Sequence, residues 1–522
     1  MTYRLTTTLP VSSVENFALT DYLPIPLYRV PATLALEPTN AGRCDGGGTP
    51  TPPVADTWCY TSADTISGTA PPVTASTDTG LNRVIWNYGN REFPATGGII
   101  DILYTLRATA EPMADQLNLA NLAIQSYRDS LSGTDQTAAT TTQITTKQPS
   151  VLIVKDIINV SHGTIAATPT DRYDAEANGL DAGDTITYRL VIANLGSAPA
   201  YGIRVTDDAG TLTPFGTSCT APTVTQGDGT TPVIIVGGSS SLFTTNPSAC
   251  LTIADSLAAN GDVTIDSNEV IWITYTCTLA ANATPRTTDI DNTAALRYYT
   301  NIDPSNPPPG LTPTNFATNT DLLTGKAKLT TQGVQSVAKA ITASSLPGST
   351  PDSNINNGET LTFQITATLS EGVYEGFSLT DNRTTIPSPI TCGSNGFTCT
   401  NVSVAGSQIT VAATAGSTPG VITYTYSQAK TASGSNTASV SATNAPAQTA
   451  TTSWTLDNPD PAITKTLSPS GGVNAGDTVE IRLGWSNTDA NNPMFRCVVP
   501  DIGSVSGWLG AGVFLIFTPI LY

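Results

Sequence analysis

Residues 183–207 read GDTITYRLVIANLGSAPAYGIRVTD. Ile186, Tyr188, Leu190 and Ile192 alternate with Thr185, Thr187, Arg189 and Val191, and that period of two predicts a strand with one buried face. Gly183-Asp184 is a turn signal ahead of it. Asn194-Leu195-Gly196-Ser197 ends the run with turn chemistry. Tyr201, Ile203 and Val205 then alternate with Gly202, Arg204 and Thr206 as far as Asp207, so the stretch is expected to fold as a hairpin of two strands.

The same pattern is written three more times: residues 358–381 (GETLTFQITATLSEGVYEGFSLTD), residues 476–501 (GDTVEIRLGWSNTDANNPMFRCVVPD) and residues 2–21 (TYRLTTTLPVSSVENFALTD), the last without its Gly-Asp start. A tandem array of one β module follows, with repeats expected at 1–148, 149–332, 333–457 and, in part, 458–522. Other pieces recur in register. Opening strands are VLIVKDI (151–157), VQSVAKAI (334–341) and PAITKTL (461–467), and repeat one begins inside a strand without its counterpart. EVIWITYTCTLA (269–280) matches IIDILYTLRATA (99–110) and VITYTYS (421–427), while NTAALRYY (292–299) matches NLAIQSY (121–127) and NTASVSA (436–442). The joints at Gln148-Pro149, Gln332-Gly333 and Asn458-Pro459-Asp460-Pro461 are short, mostly with proline, which limits bending and predicts a semi-rigid rod.

Composition agrees with an all-β chain. Charged residues make up 12% of the 522, against about 25% in an average soluble protein. Their place is taken largely by threonine, alanine, serine and asparagine. Threonine suits the wet face of a sheet, and 37 Pro with 43 Gly supply frequent turns. A net charge of −19 repels phosphate backbones and anionic surfaces, so nucleic acid is not an expected partner. No export segment opens the chain. The uncharged tail Ile502–Tyr522 is barely as long as the roughly 20 apolar residues a spanning helix needs, and reads as a truncated or mis-framed end. A membrane is reached only through an anchor at or beyond that end.

Cysteines fall in pairs within single repeats. Cys44 with Cys59, Cys219 with Cys250 and Cys392 with Cys399 are expected to form local disulfides, which implies an oxidising compartment. Cys277 fills a core slot two residues after Tyr275 and reads as a buried thiol.

Taken together, the Lys-bearing strand, Gly-Asp-Thr, the Tyr-x-Leu/Ile strand, Val-Thr-Asp and Asn-Thr-Ala resemble the tandem immunoglobulin-like repeat of bacterial surface and cell-wall proteins, related to isopeptide-forming fimbrial subunits and adhesins. The resemblance implies Greek-key, immunoglobulin-like β-sandwich modules strung into an elongated rod. It implies an extracellular place at the cell surface or cell wall. The implied role is a structural or adhesive stalk, its partner a host or neighbouring-cell protein or a glycan. Two other classes remain open: a ligand-binding module using the long loops at 40–80, 220–250 and 303–325, and the non-catalytic part of a larger secreted enzyme.

The sharpest candidate chemistry is a self-made amide crosslink. Lys155, Lys339 and Lys465 occupy one matching place in the opening strands, and Asn121, Asn292 and Asn436 one matching place in a late strand. Burial would hold the amine neutral and nucleophilic toward the asparagine amide, and a protonated carboxylic acid would shuttle protons. Glu269 is the candidate acid in repeat two; the aligned places are Thr418 and Gly98. Asp184 and Glu359 sit in turn sequences. The competing reading makes the lysine a strand-edge charge and the asparagine a turn end. Asp21, Asp207, Asp381 and Asp501 close the second strand of every copy and read as Asx caps rather than as a calcium cage. His162 is the only histidine, which argues against a Ser-His-Asp centre and against zinc. No cofactor and no catalytic residue is expected, and Trp86 and Trp272 read as core or sheet-face residues.

Overall fold

The computed structural model describes residues 1–487 apart from 10, 38–41, 46–50, 70–72, 94–95, 171, 208–218, 236–241, 244–250, 255–263, 305, 320–322, 346–352, 415–417, 457–460, 469, 473, 475–476 and 479. Cys250, Asp501 and the tail at 502–522 therefore lie outside the described residues. What is described is built of strands, with a short 3-10 turn at Phe316–Asn319. No helix among the described residues is long and apolar enough to cross a membrane. Two compact units emerge. The first is Met1–Asn178, Thr185–Thr278 and Ile290–Leu329, and the second is Gly179–Asp184, Leu279–Asp289 and Thr330–Tyr522.

The strand Thr185–Asn194 buries Ile186, Tyr188, Leu190 and Ile192 completely, as its alternation requires. It lies between the opening strand Val151–Val160 and a tyrosine-bearing strand, Val270–Thr278, both antiparallel, and Thr223–Gln226 completes this sheet. The strand Ala200–Asp207 does not pair with it. That strand joins the opposite sheet, against Ile290–Thr300, Leu251–Ala254 and Thr264–Ile265. The expected hairpin is thus an arch from one layer to the other. A strand with one apolar face is served equally well by a neighbour in its own sheet or by a facing sheet, so alternation alone does not separate the two.

Asn194 builds the corner. Its Nδ2 donates to Ala198 O at 2.8 Å and Ile265 O at 3.0 Å, and its Oδ1 accepts from Ser150 N and Gly196 N at 3.1 Å. Gly196 is required there, because a Cβ would come within 2.2 Å of Gln148 O.

The arch recurs. Thr2–Leu9 pairs with Gly98–Thr105, while Ser13–Tyr22 pairs with Arg83–Glu92 and Asn118–Asp129 in the other sheet. In the second unit Glu359–Leu369 lies between Val334–Ser344 and Gly420–Lys430, while Ser378–Asp381 pairs with Gly434–Ala442. Two of the arches are followed by a bulge. Register shifts near Asn16 (φ 53°) and near Gly202 (φ 67°), and the latter turns Tyr201 off the buried face that alternation gave it. Parts of the expected loops are strands as well: Thr57–Tyr60 extends one sheet of the first sandwich and Thr74–Asp78 the other.

Side chains from both layers fill each interior. In the first sandwich Phe17, Trp86, Ile100 and Tyr104 are fully buried, and Trp86 meets Trp58 edge-on at 6.4 Å. In the second unit Ile365, Tyr374 and Ile422 from one region meet Ala438 and Val440 from the facing sheet. Each such large apolar side chain contributes about 1.5–3 kcal/mol. Asp115 ties the first sandwich to the second. Its carboxylate accepts from Gln148 N at 2.8 Å, from Ser197 N at 3.0 Å and from Ser197 Oγ at 2.5 Å.

Cys44–Cys59 and Cys392–Cys399 are disulfides, as their spacing suggested. Cys219, however, is bonded to Cys277 and not to Cys250. Cys277 does occupy the core slot read for it, fully buried. An isolated β-bridge sets Cys219 directly opposite, so the buried thiol is oxidised across 58 residues of chain.

Candidate functional site

Val151, Ile153, Lys155 and Ile157 are the inward positions of the opening strand. A lysine therefore takes an apolar place, and it is fully buried. Its Nζ lies 2.5 Å from Asp207 Oδ2 and donates to Tyr275 Oη at 2.9 Å. Tyr275 in turn donates to Asp207 Oδ2 at 2.6 Å and accepts from Asn292 Nδ2 at 3.4 Å. The ammonium also sits 4.8 Å from the centre of the Tyr188 ring. Four strands from both sheets thus bring one lysine, one carboxylate, one phenol and one amide together in the interior. Burial, followed by the Asp207 charge, pushes the Tyr275 phenol well above its ordinary range, so it stays a donor. Asn292 Oδ1 has no hydrogen-bond partner among the described residues.

The second unit repeats the set. Lys339 Nζ donates to Asp381 Oδ2 and lies 3.5 Å from Tyr426 Oη; Tyr426 donates to the same Asp381 oxygen at 2.9 Å, and Asn436 Nδ2 donates to Tyr426. Burial lowers the Lys339 amine, with Asp381 opposing in part. Asn436 Oδ1, like Asn292 Oδ1, is buried without a hydrogen-bond partner among the described residues. In each copy an amide oxygen is left open to a donor, beside an amine whose proton has a carboxylate to go to.

Lys155 and Asn292 thus both bond to Tyr275, and Lys339 and Asn436 both to Tyr426. Both lysines lie on edge strands but turn their side chains into the interior, and both asparagines lie within strands rather than at a turn end. Glu269 is not in the site. Its Oε2 accepts from Asp266 N at 2.8 Å and closes a tight turn. Asp184 does the same with Asp181 N and Glu359 with Asn356 N, both at 2.8 Å, which is the turn role read for those two. The acid beside each lysine is Asp207 or Asp381. The recurrence of aspartate at that place was visible. It passed for a cap, and Asp381 Oδ1 does accept from Arg383 N at 2.8 Å; the other oxygen holds the lysine. Lys465 lies exposed opposite Leu483, and its counterpart aspartate, Asp501, is outside the described residues.

The first sandwich keeps three of the four members. Tyr104 donates to Asp21 Oδ2, and Asn121 Nδ2 donates to Tyr22 O at 3.2 Å. Tyr3 stacks on Tyr104 at 5.2 Å, as Tyr188 lies against Tyr275. Asp21 is fully buried. Burial pushes its carboxyl up to about 6, against hydrogen bonds from Tyr104 and Asn121.

No protein-family model matches this chain, and no curated protein does. Solved structures similar to it include the C-terminal domain of the Streptococcus agalactiae AgI/II polypeptide BspA, at 11% identity and TM-score 0.19, covering 58% of this chain and 99% of that one. The C-terminal domain of the Streptococcus pyogenes antigen I/II-family protein AspA is similar at 12% identity and TM-score 0.22, covering 58% and 99%. The T6 backbone pilin of serotype M6 Streptococcus pyogenes has 12% identity and TM-score 0.22, covering 89% and 82%. The fold assignment stands on the strand pairing described above.

Proposed function

We propose that this chain is a structural, adhesive stalk segment of an exported bacterial surface protein. Its modules are 1–148, 149–332 and 333–457, with a partial fourth at 458–522, and those at 149–332 and 333–457 are stapled internally by lysine–asparagine amide bonds. One observation carries the reading: the same buried set of lysine, aspartate, tyrosine and asparagine occurs in two sandwiches. The disulfides support an oxidising, extracellular setting.

The chemistry balances within the set. The Lys155 ammonium passes a proton to Asp207, a transfer that burial favours because it removes two charges from a low-dielectric interior. The neutral amine attacks Asn292 Cγ. Protonated Asp207 donates to Asn292 Oδ1, the oxygen that lacks another donor among the described residues. Asp207 then carries one proton from the former amine to Nδ2, which leaves as ammonia, and takes back the hydroxyl proton as the carbonyl re-forms, so the set ends with a secondary amide, ammonia and a protonated aspartate. Lys339, Asp381 and Asn436 repeat these roles. A single turnover leaves a permanent bond, so no substrate pocket is needed.

Intact mass of the disulfide-bonded chain tests this. The expected value is two ammonias below that calculated for the sequence with its three disulfides formed, and Lys155→Ala and Lys339→Ala each restore one relative to the mass calculated for the variant. A mass carrying both ammonias ends the crosslink reading.

A further inference from the structure

One sheet of the second sandwich carries on its outer face a row of side chains that the third sandwich lacks. Val154, Val191 and Trp272 stand side by side across three strands, and Asp156, Arg189 and Thr274 form the next row. Counted from Lys339 and Tyr426, the same places in the third sandwich hold Ala338, Thr366 and Thr423, then Ala340, Gln364 and Thr425. A sheet of this kind therefore forms without an aromatic there, and the fold does not require the partly exposed Trp272.

The surroundings fix the indole without covering it. The Arg189 guanidinium lies 4.5 Å from a Trp272 ring centre, and Asp156 holds it from behind at 2.6 Å. Arg189 belongs to the Thr274 row, so the side of the ring toward Val270 is left open. On that side lies a pocket of about 690 Å³, bordered by Trp272, Val270, Asp228, Asp266, Asn268 and Glu269. Small-ligand sites run from about 300 to 1,000 Å³. Two tight turns frame it. In one, Asp228 Oδ1 accepts from Thr230 N at 2.8 Å and Thr231 N at 2.9 Å, and Oδ2 accepts from Thr231 Oγ1 at 2.6 Å. Gly229, at φ 74°, lets that turn meet the indole edge, because a Cβ would come within 2.8 Å of the ring. Glu269 closes the other turn.

The chemistry of this border selects a ligand. Bonds from Thr231 and Thr230 hold the Asp228 carboxyl down to about 2, and negative charge at the rim repels phosphate, sulfate and carboxylate groups. A second cation is opposed as well, since Arg189 already occupies one side of the ring and Asp228 spends both oxygens on its own turn. What remains is a flat aromatic side that takes the C–H face of a sugar ring, ringed by carboxylate oxygens that accept and by the Asn268 amide that both donates and accepts, as hydroxyl groups require.

We propose that the pocket beside Trp272 is a binding site for a neutral oligosaccharide, with one pyranose ring stacked on the indole and its hydroxyls bonded to side chains of the two turns. The site goes beyond the stalk reading and needs no crosslink.

The test applies the labelled full chain to an array of neutral, sialylated and uronate-containing oligosaccharides. Binding to at least one neutral chain is expected. Trp272→Thr, which puts there the residue type the third sandwich has, should weaken it by about 30-fold or more, as for an aromatic anchor at the centre of a contact, and Trp272→Phe should keep part of it. Asn268→Gly preserves the turn, whose φ of 64° suits glycine, and should weaken binding about 2–10-fold through the lost amide. Binding to no neutral chain overturns the proposal, as does preference for the acidic chains. So does undiminished binding by either Trp272→Thr or Asn268→Gly. Oligolysine that displaces the array sugar at lower concentration than the free sugar does also overturns it, in favour of a basic peptide.

Discussion

The first and second sandwiches share a tyrosine, an asparagine and an aspartate in matching places, and differ in one cation. In the second, Asp207 is buried against Lys155 and Tyr275. In the first, Asp21 is equally buried but has only neutral donors, and its carboxyl rises to about 6. The aspartate is thus not a stabilising residue in its own right. Without the lysine it is a buried group that holds its proton more tightly than usual; with it, it is half of a buried ion pair.

The comparison is broken most severely by removing the lysine. In an Asn292→Ala background, which cannot form the amide bond, Lys155→Ala removes the cation beside Asp207 and should destabilise the second sandwich by about 3–5 kcal/mol. The double variant Lys155→Met with Asp207→Asn should recover most of that loss. Hydrogen exchange resolved by peptide reads each sandwich separately; equal protection in the single and double variants would count against the buried pair. Disulfides come next. Cys277→Ser opens a bridge spanning 58 residues and Cys59→Ser one spanning 15, so chain entropy predicts losses of about 4 and about 3 kcal/mol in urea unfolding. The reverse order would mean that strain, not loop length, sets the effect.

Asp21→Asn sharpens the contrast from the other side. Asp21 titrates near 6 when folded, against 3.8 as its ordinary value. The fold therefore binds that proton more tightly than the unfolded chain, so its contribution is full below about pH 3.8 and is lost as pH rises through about 6. Asparagine should stabilise the first sandwich by about 2–3 kcal/mol at pH 7.5 and by almost nothing at pH 3.5. A gain that does not change with pH would show that the carboxyl is not the cause. Smallest is the phenol: Tyr275→Phe removes one donated and two accepted hydrogen bonds, and should cost about 1–3 kcal/mol, while Tyr104→Phe should move the Asp21 transition upward in pH, readable by NMR titration.

Much of this was legible beforehand. Period-two alternation in residues 185–192 named the buried side chains, and the repeated spelling of that stretch located its copies. Lys155, Lys339, Asn292 and Asn436 stood out because recurrence at matching positions survives even when the surrounding residues change. Asp207 was missed because its strand was placed beside Thr185–Asn194 in a hairpin, where its side chain could not face the opening strand. The partner of Cys219 was missed for a similar reason. Nearness in sequence favoured Cys250, but the bridge follows strand neighbours, and Cys277 is opposite.

Local patterns therefore determined which faces are buried, where strands begin and end, and which polar residues recur, because those depend on backbone period and turn chemistry alone. Which sheet each strand joins, and so which polar side chains meet in the interior, was decided by tertiary structure. Burying an apolar face fixes only that a strand needs a covering layer; which layer it finds depends on contacts between residues 50 to 120 positions apart, such as Lys155 with Asp207 and with Tyr275, that no local signal records.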